Sequence, residues 1–140
     1  MFDVPEFLTI SAAELAKRAG ERLAILPSKR AVYEHFSESI ATEIQENNAA
    51  GRDTVLILPV GPLGGFPLLV ERCNQAGISW KRVHTFNMDE YLDWEGRSIS
   101  LDHPLSFRGF MDRFFQELNA DLRPQPENTL FPEPSFPDAI

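Results

Sequence analysis

The chain has 140 residues, of which 43 % are hydrophobic, 11 % aromatic and 24 % charged, enough apolar material for one core and too little length for a second full domain. Thirteen Lys and Arg against twenty-one Asp and Glu leave a formal charge of −8, the wrong sign for gathering phosphate backbones, so nucleic acid is not an expected partner. The single cysteine, Cys73, excludes an intramolecular disulfide and a cysteine-based metal cluster and suits a reducing cytoplasm.

The first ten residues carry Asp3, Pro5 and Glu6 and no basic stretch leading into an apolar one, unlike a secretory signal. No window approaches the ~20 apolar residues of a membrane span. Ser11 to Ala19 starts on a hydroxyl residue, has Glu14 three positions on and is followed by Gly20, which reads as a capping-box start and a glycine stop around a short helix. Ser28 to Ala50 reads as a longer helix, with Val32, Phe36, Ile40 and Ile44 as its apolar face and Gly51 as its end.

Thr54 to Val60 (TVLILPV) is an unbroken apolar run rich in β-branched residues, the pattern of a parallel strand buried on both faces. A glycine-rich turn follows, then a helical stretch from Phe66 to Ala76 closed by Gly77, then a second strand expected within Lys81 to Asp89. Strand, loop, helix, strand is the βαβ unit. Pro104 suits the first turn of a further helix whose stripe of Phe107, Phe110, Met111, Phe114, Phe115 and Leu118 reads as a packing face. Five of the eleven prolines fall between Pro124 and Pro137, leaving room for one short strand near Thr129 to Phe131. The expected organisation is a single partial α/β domain over residues 1–140, with leading helices in 1–51, the strand–loop–helix–strand unit in 54–91, a helix in 104–119 and a proline-rich tail in 121–140.

Two stretches could carry chemistry. In Pro59-Val60-Gly61-Pro62-Leu63-Gly64-Gly65-Phe66-Pro67, three of the eight glycines gather between a strand and a helix start, where backbone N–H groups and the helix dipole can face an anion. The loop matches neither nucleotide fingerprint, and a plain tight turn explains it equally. The second stretch, Phe86-Asn87-Met88-Asp89-Glu90-Tyr91, ends the second strand. Both lie at the carboxyl edge of a parallel sheet, where ligands bind, so they can face one cavity. A carboxylate there serves as a general base when partial burial raises its affinity for protons; a solvated or helix-capping acid is the alternative. His35, His84 and His103 form no ligand spacing with one another or with acidic residues, so no metal is expected, and no GxSxG turn presents a serine nucleophile.

The segments LILPVGPLGGFP, VHTFNMDEYL and DHPLSFRGFMDRFF, in this order, resemble the amino-terminal part of the glucosamine-6-phosphate deaminase family, the glucosamine/galactosamine-6-phosphate isomerases, which are related to the 6-phosphogluconolactonases. FNMDEY is the specific element. The resemblance implies an α/β, Rossmann-like, doubly wound parallel sheet, present here as the amino-terminal half of the family domain and so incomplete, with an open edge and an uncovered apolar face. It implies a reaction that converts glucosamine 6-phosphate and water to fructose 6-phosphate and ammonia, with a hexosamine phosphate as substrate and no cofactor.

By the same resemblance, Asp89 is the base that moves a proton between C2 and C1, Glu90 and Tyr91 sit beside it, and Gly61, Leu63, Gly64 and Gly65 take the place of the sugar-phosphate loop. The chain departs from the family's PTGGTP pattern there, since Pro59 to Pro67 contains no Ser or Thr; phosphate would rest on backbone N–H groups, and the sugar stays open. The family's later GNDGHIAFNEP-like motif, which assists ring opening and proton relay, is not within these residues, which implies impaired turnover, and a homo-oligomer or a complementing chain to cover the sheet. Two other readings stand beside this one: a non-catalytic remnant that binds a sugar phosphate or a partner protein, and a lactone hydrolase of the related type.

Overall fold

The computed structural model describes residue 5 and residues 8–133. The end of the proline-rich tail, and most of the first seven residues, lie outside the described residues. Helix α1 (Ala12–Ala19) begins where Ser11 accepts a hydrogen bond from the Glu14 N–H at 3.1 Å and stops at Gly20, as the capping pattern predicts. It buries none of its residues. Helix α2 (Lys29–Ala49) starts at Ser28, which caps the Ala31 N–H. Gly51 follows α2 at φ 67°, a left-handed conformation that favours glycine.

The expected face of α2 holds at Ile44, which is buried, and at Phe36 and Ile40, which pack partly buried against the core; it departs at its start. Val32 is 46 % exposed, while Ser37, Ala41, Ile44 and Asn47 are buried. Steps of four residues overshoot a turn by about 40° each, so a strict every-fourth stripe winds off the core, whereas spacings of four, three and three hold one face. The polar ends of that face are satisfied: Ser37 donates to the Glu34 carbonyl at 2.9 Å. Asn47 donates to Thr54 Oγ1 at 3.1 Å and accepts from Arg52 at 2.8 Å, which ties the end of α2 to the start of the sheet.

Strand β1 (Thr54–Leu58), helix α3 (Gly65–Ala76), strand β2 (Val83–Asn87), helix α4 (Phe107–Glu117) and strand β3 (Thr129–Leu130) complete the order. The strands are parallel and lie β1-β2-β3, with Thr54 opposite Val83, Leu58 opposite Asn87 and Phe86 opposite Leu130. Both strand connections run the same way across the sheet, and right-handed crossovers then place α3 and α4 on the same face. The consequence is visible in burial. Leu58, Val83, Thr85 and Asn87 are buried, whereas Val55 is 65 % and Ile57 66 % exposed, with Phe86 and Leu130 exposed beside them.

The expectation that β1 is buried on both faces is therefore corrected: one face is packed and the other is a bare apolar row, as an incomplete sheet implies. An apolar run is what a doubly covered strand needs, but whether the second cover exists depends on a reversal of strand order that these three strands do not contain. Phe66 holds the helical layer together. Its ring sits edge-to-face against Phe36 of α2 at 5.4 Å, Phe110 of α4 at 5.4 Å and Phe114 of α4 at 5.0 Å, contacts each contributing roughly 0.5–1.5 kcal/mol beyond burial.

Pro104 does not open α4. The helix begins at Phe107 with Ser106 as its N-cap, Ser106 Oγ accepting from the Gly109 N–H at 3.0 Å. The proline lies in the turn before it because a hydroxyl cap two residues later satisfies the first turn better than proline's preset φ. Among the described residues no helix is long and apolar enough to cross a membrane.

Candidate functional site

The two stretches singled out in the sequence leave neighbouring strand ends. Leu58 and Asn87 are the last residues of β1 and β2 and stand opposite each other, and the Met88 N–H donates to the Leu58 carbonyl at 3.1 Å. The glycine-rich turn and the FNMDEY stretch thus emerge side by side at the carboxyl edge of the sheet, the position at which parallel sheets bind ligands.

In the turn, the Leu63 N–H donates to the Gly61 carbonyl at 2.9 Å and the Gly65 N–H to the Pro62 carbonyl at 2.8 Å, so the chain coils directly into α3. Helix α3 has no side-chain cap, Gly64 standing in that position, although the Gly65 N–H is already held by the Pro62 carbonyl. Gly64 and Gly65 have packing reasons of their own. A Cβ at Gly64 would strike the Tyr33 ring, and one at Gly65 would come within 2.5 Å of Phe36. Gly61 has open space around it and Leu63 is exposed. Pro67, on the first turn of α3, contributes no N–H.

The acidic pair separates into two environments. Asp89 is exposed and makes no hydrogen bond or ion pair among the described residues; the partial burial that would favour a general base is not supplied by this surrounding. Glu90 turns back onto α4. Its carboxylate accepts from the Phe107 N–H at 2.9 Å, the Arg108 N–H at 2.7 Å and its neighbour's Tyr91 N–H at 2.8 Å, and Ser106 Oγ lies 3.5 Å away. That is the helix-capping alternative realised: an anion on the positive end of a helix, fixing the stretch that follows β2. Tyr91 stacks edge-to-face on Phe107 at 5.1 Å.

Sequence reasoning missed Asn87. Its side chain is buried, and Nδ2 is without a hydrogen-bond partner although an unpaired buried amide costs about 1–3 kcal/mol. The signal was available: a polar residue ending the strand on the packed face, by alternation with Val83 and Thr85. His84 lies 3.9 Å from Asp53, at the opposite edge of the sheet from Asp89. His35 is exposed on α2. His103 accepts the Leu105 N–H on Nδ1 at 3.2 Å.

Beyond Tyr91, the connection from Met88 to Ser106 folds on itself. Leu92 and Ser98 form an antiparallel bridge. Asp93 Oδ1 accepts from the Glu95 N–H at 2.9 Å and the Arg97 N–H at 2.8 Å, and Oδ2 from Arg97 Nε at 2.9 Å. These bonds, the Arg97 backbone N–H first, hold the Asp93 carboxyl below the usual range. The connection lines an open concavity of about 430 Å³ that begins at Tyr91 and includes Trp94 and His103. A second, of about 630 Å³, runs between α2 and α3 past Glu38 and Arg72. Neither is lined by Asp89 or by residues 61–65, so the single shared cavity expected from the sequence is not formed by these two grooves.

No protein-family model matches the chain. It is 38 % identical over 106 residues to the glucosamine-6-phosphate deaminase of Caenorhabditis elegans, covering 74 % of this chain and 37 % of the relative. It is 35 % identical over 113 residues to that of Parabacteroides distasonis, covering 78 % and 39 %. Among solved structures, a monomeric glucosamine-6-phosphate deaminase of the NagB superfamily superposes with a TM-score of 0.63 at 26 % identity, over 81 % of this chain and 43 % of that one. The chain therefore spans about two fifths of the length of the proteins it matches.

Proposed function

We propose that this chain, a homologue of part of the glucosamine-6-phosphate deaminases, carries the proton-transfer base and the phosphate-side loop of a hexosamine-phosphate isomerase/deaminase site. Asp89 is the base that moves a proton between C2 and C1 of glucosamine 6-phosphate on the way to fructose 6-phosphate and ammonia. Gly61, Leu63, Gly64 and Gly65 form the phosphate-side loop at the start of α3; with the Leu63 and Gly65 N–H groups engaged inside the turn, Gly61 and Gly64 offer their backbone N–H groups to the phosphate, and Tyr91 stands beside the sugar. A carbon acid needs a base held within ~3 Å of its proton, and an aspartate free of ion pairs keeps its lone pairs for that purpose.

The observation that supports this most is the placement of Asp89 two residues past the end of β2, beside the loop that leaves β1 at the same sheet edge, in a chain similar to deaminases over three quarters of its length. The unpaired Nδ2 of Asn87 is buried at the end of β2, directly before Asp89's loop, and marks an unsatisfied donor at this edge of the sheet. Glu90, which the resemblance sets beside Asp89, serves this reading as the clamp that sets the position of Asp89. Whole turnover draws on the ring-opening and relay groups of the family's later motif, which are not among these residues. A buried, unpaired Cys73 fits a cytoplasmic setting.

A second reading, a non-catalytic interaction module, is favoured by the bare row of Val55, Ile57, Phe86 and Leu130. Calorimetric titration with glucosamine 6-phosphate separates the two. The isomerase/deaminase reading expects saturable heat that Gly61→Pro weakens, and an interaction module gives none.

A further inference from the structure

The 19-residue connection between β2 and α4, Met88 to Ser106, is longer than connections in compact domains usually are, and long ordered loops at this edge of a sheet commonly bind something. It is built to hold a shape. The Asp93 carboxylate satisfies a turn and the Arg97 guanidinium at once, Gly96 takes φ 78° to close that turn, and Leu92 bridges Ser98. At its far end Gly109 of α4 lies against the Leu101 backbone so closely that a Cβ would collide with the carbonyl.

We infer that the concavity lined by this connection is a binding site for an uncharged hexopyranose ring, centred on Trp94 and distinct from Asp89, although it shares Tyr91 with the site proposed above. The lining decides the class. Its volume, about 430 Å³, falls among small-molecule sites of ~300–1,000 Å³. Trp94 is 89 % exposed at the tip of the turn while Trp80 is fully buried, so an indole that could have packed inward is displayed in water at the mouth of a pocket. With Tyr91 it offers electron-rich faces to the apolar C–H side of a sugar ring.

Hydroxyls of Ser98 and Ser100 supply both donors and acceptors for ring hydroxyl groups. His103 adds a directed donor: its Nδ1 accepts from the Leu105 N–H, so the neutral ring carries its proton on Nε2. Charge argues against a phosphorylated ligand here. The lining contains no Lys or Arg, and its one carboxylate, Asp93, is consumed by its own turn and Arg97. A neutral, hydroxyl-bearing ring with one apolar face matches this lining, with Ser100 Oγ still able to donate while it accepts from the Asp102 N–H.

The probe is methyl β-D-glucopyranoside, titrated by calorimetry into the full chain, with iodide quenching of tryptophan fluorescence in parallel. The expected result is saturable binding with a Kd on the order of 1–10 mM, shielding of Trp94 from iodide, at least a roughly tenfold loss in Trp94→Ala and about a tenfold loss in His103→Ala, and an unchanged isotherm in Asp89→Asn. Trp94 makes too little contact for its removal to unfold the chain, and circular dichroism checks this. No saturable heat, binding that survives Trp94→Ala, glucose 6-phosphate binding more tightly through the same residues, or loss of glucoside binding in Asp89→Asn would each overturn the assignment.

Discussion

The Glu90 carboxylate accepts hydrogen bonds from the backbone N–H groups of Phe107 and Arg108 at 2.9 and 2.7 Å, joining the stretch after β2 to the start of α4 across sixteen intervening positions. Replacing Glu90 by Ala leaves those helix-end N–H groups without their anion and is expected to cost about 1–3 kcal/mol in urea unfolding, with Glu90→Gln costing less because one oxygen remains. A loss below about 0.5 kcal/mol in Glu90→Ala would show that Ser106 alone caps α4.

The three loop glycines are expected to separate. Gly65→Ala drives a Cβ to 2.5 Å from Phe36, a ring packed in the core, and should destabilise by about 1–3 kcal/mol. Gly64→Ala meets Tyr33, a partly exposed ring that can swing aside, and should cost less. Gly61→Ala enters open space, so its melting temperature should match the parent's. Equal effects at all three would contradict the packing account.

What the sequence revealed, and what it hid, follows from how local each signal is. Ser11, Ser28 and the Phe107 to Leu118 stripe announce themselves because caps and helical faces depend on residues three or four apart. The drift of the α2 face from Val32 to Ser37 was hidden because apolar character outweighed a buried serine that pairs with its own helix. The bare side of β1 was hidden because the run Thr54 to Leu58 encodes affinity for two covers, and only strand order tells whether both are present. Glu90 was legible as an acid beside Asp89, but its partner Arg108 lies a long loop away, beyond the reach of spacing arguments. The pocket at Trp94 left no periodic signal at all.

The exposed row of Val55, Ile57, Phe86 and Leu130 is expected to favour self-association. Ile57→Lys is expected to change unfolding free energy by no more than about 0.5 kcal/mol, since the side chain already faces water, while raising the concentration at which light scattering detects aggregates. Strong destabilisation by Ile57→Lys would mean that this face is covered.

Acid should loosen the loop before the core. Hydrogen bonds from the Arg97 backbone lead the effects that hold Asp93 below its ordinary range, so this group stabilises the fold above its unfolded value and the contribution is lost as pH falls through the depressed folded value. Amide exchange at Glu95 and Arg97, followed by NMR, should therefore quicken on acidification below the usual carboxylate range, and Asp93→Asn should show fast exchange at neutral pH. Burial raises the Cys73 thiol, against an opposing hydrogen bond from Trp80, so its contribution is present at neutral pH and fades as alkali reaches the unfolded thiol's range; thiol reagents should react only at the rate of unfolding.

The central claim is that Asp89 transfers a proton on the sugar carbon. Incubating the chain with fructose 6-phosphate in deuterium oxide and following the C1 protons by NMR reads that step without requiring the rest of the reaction. The account predicts deuterium entering at C1 faster than in buffer, with Asp89→Asn returning the rate to the buffer value while Glu90→Gln retains it. Exchange no faster than in buffer, or equal in the parent and in Asp89→Asn, would contradict it.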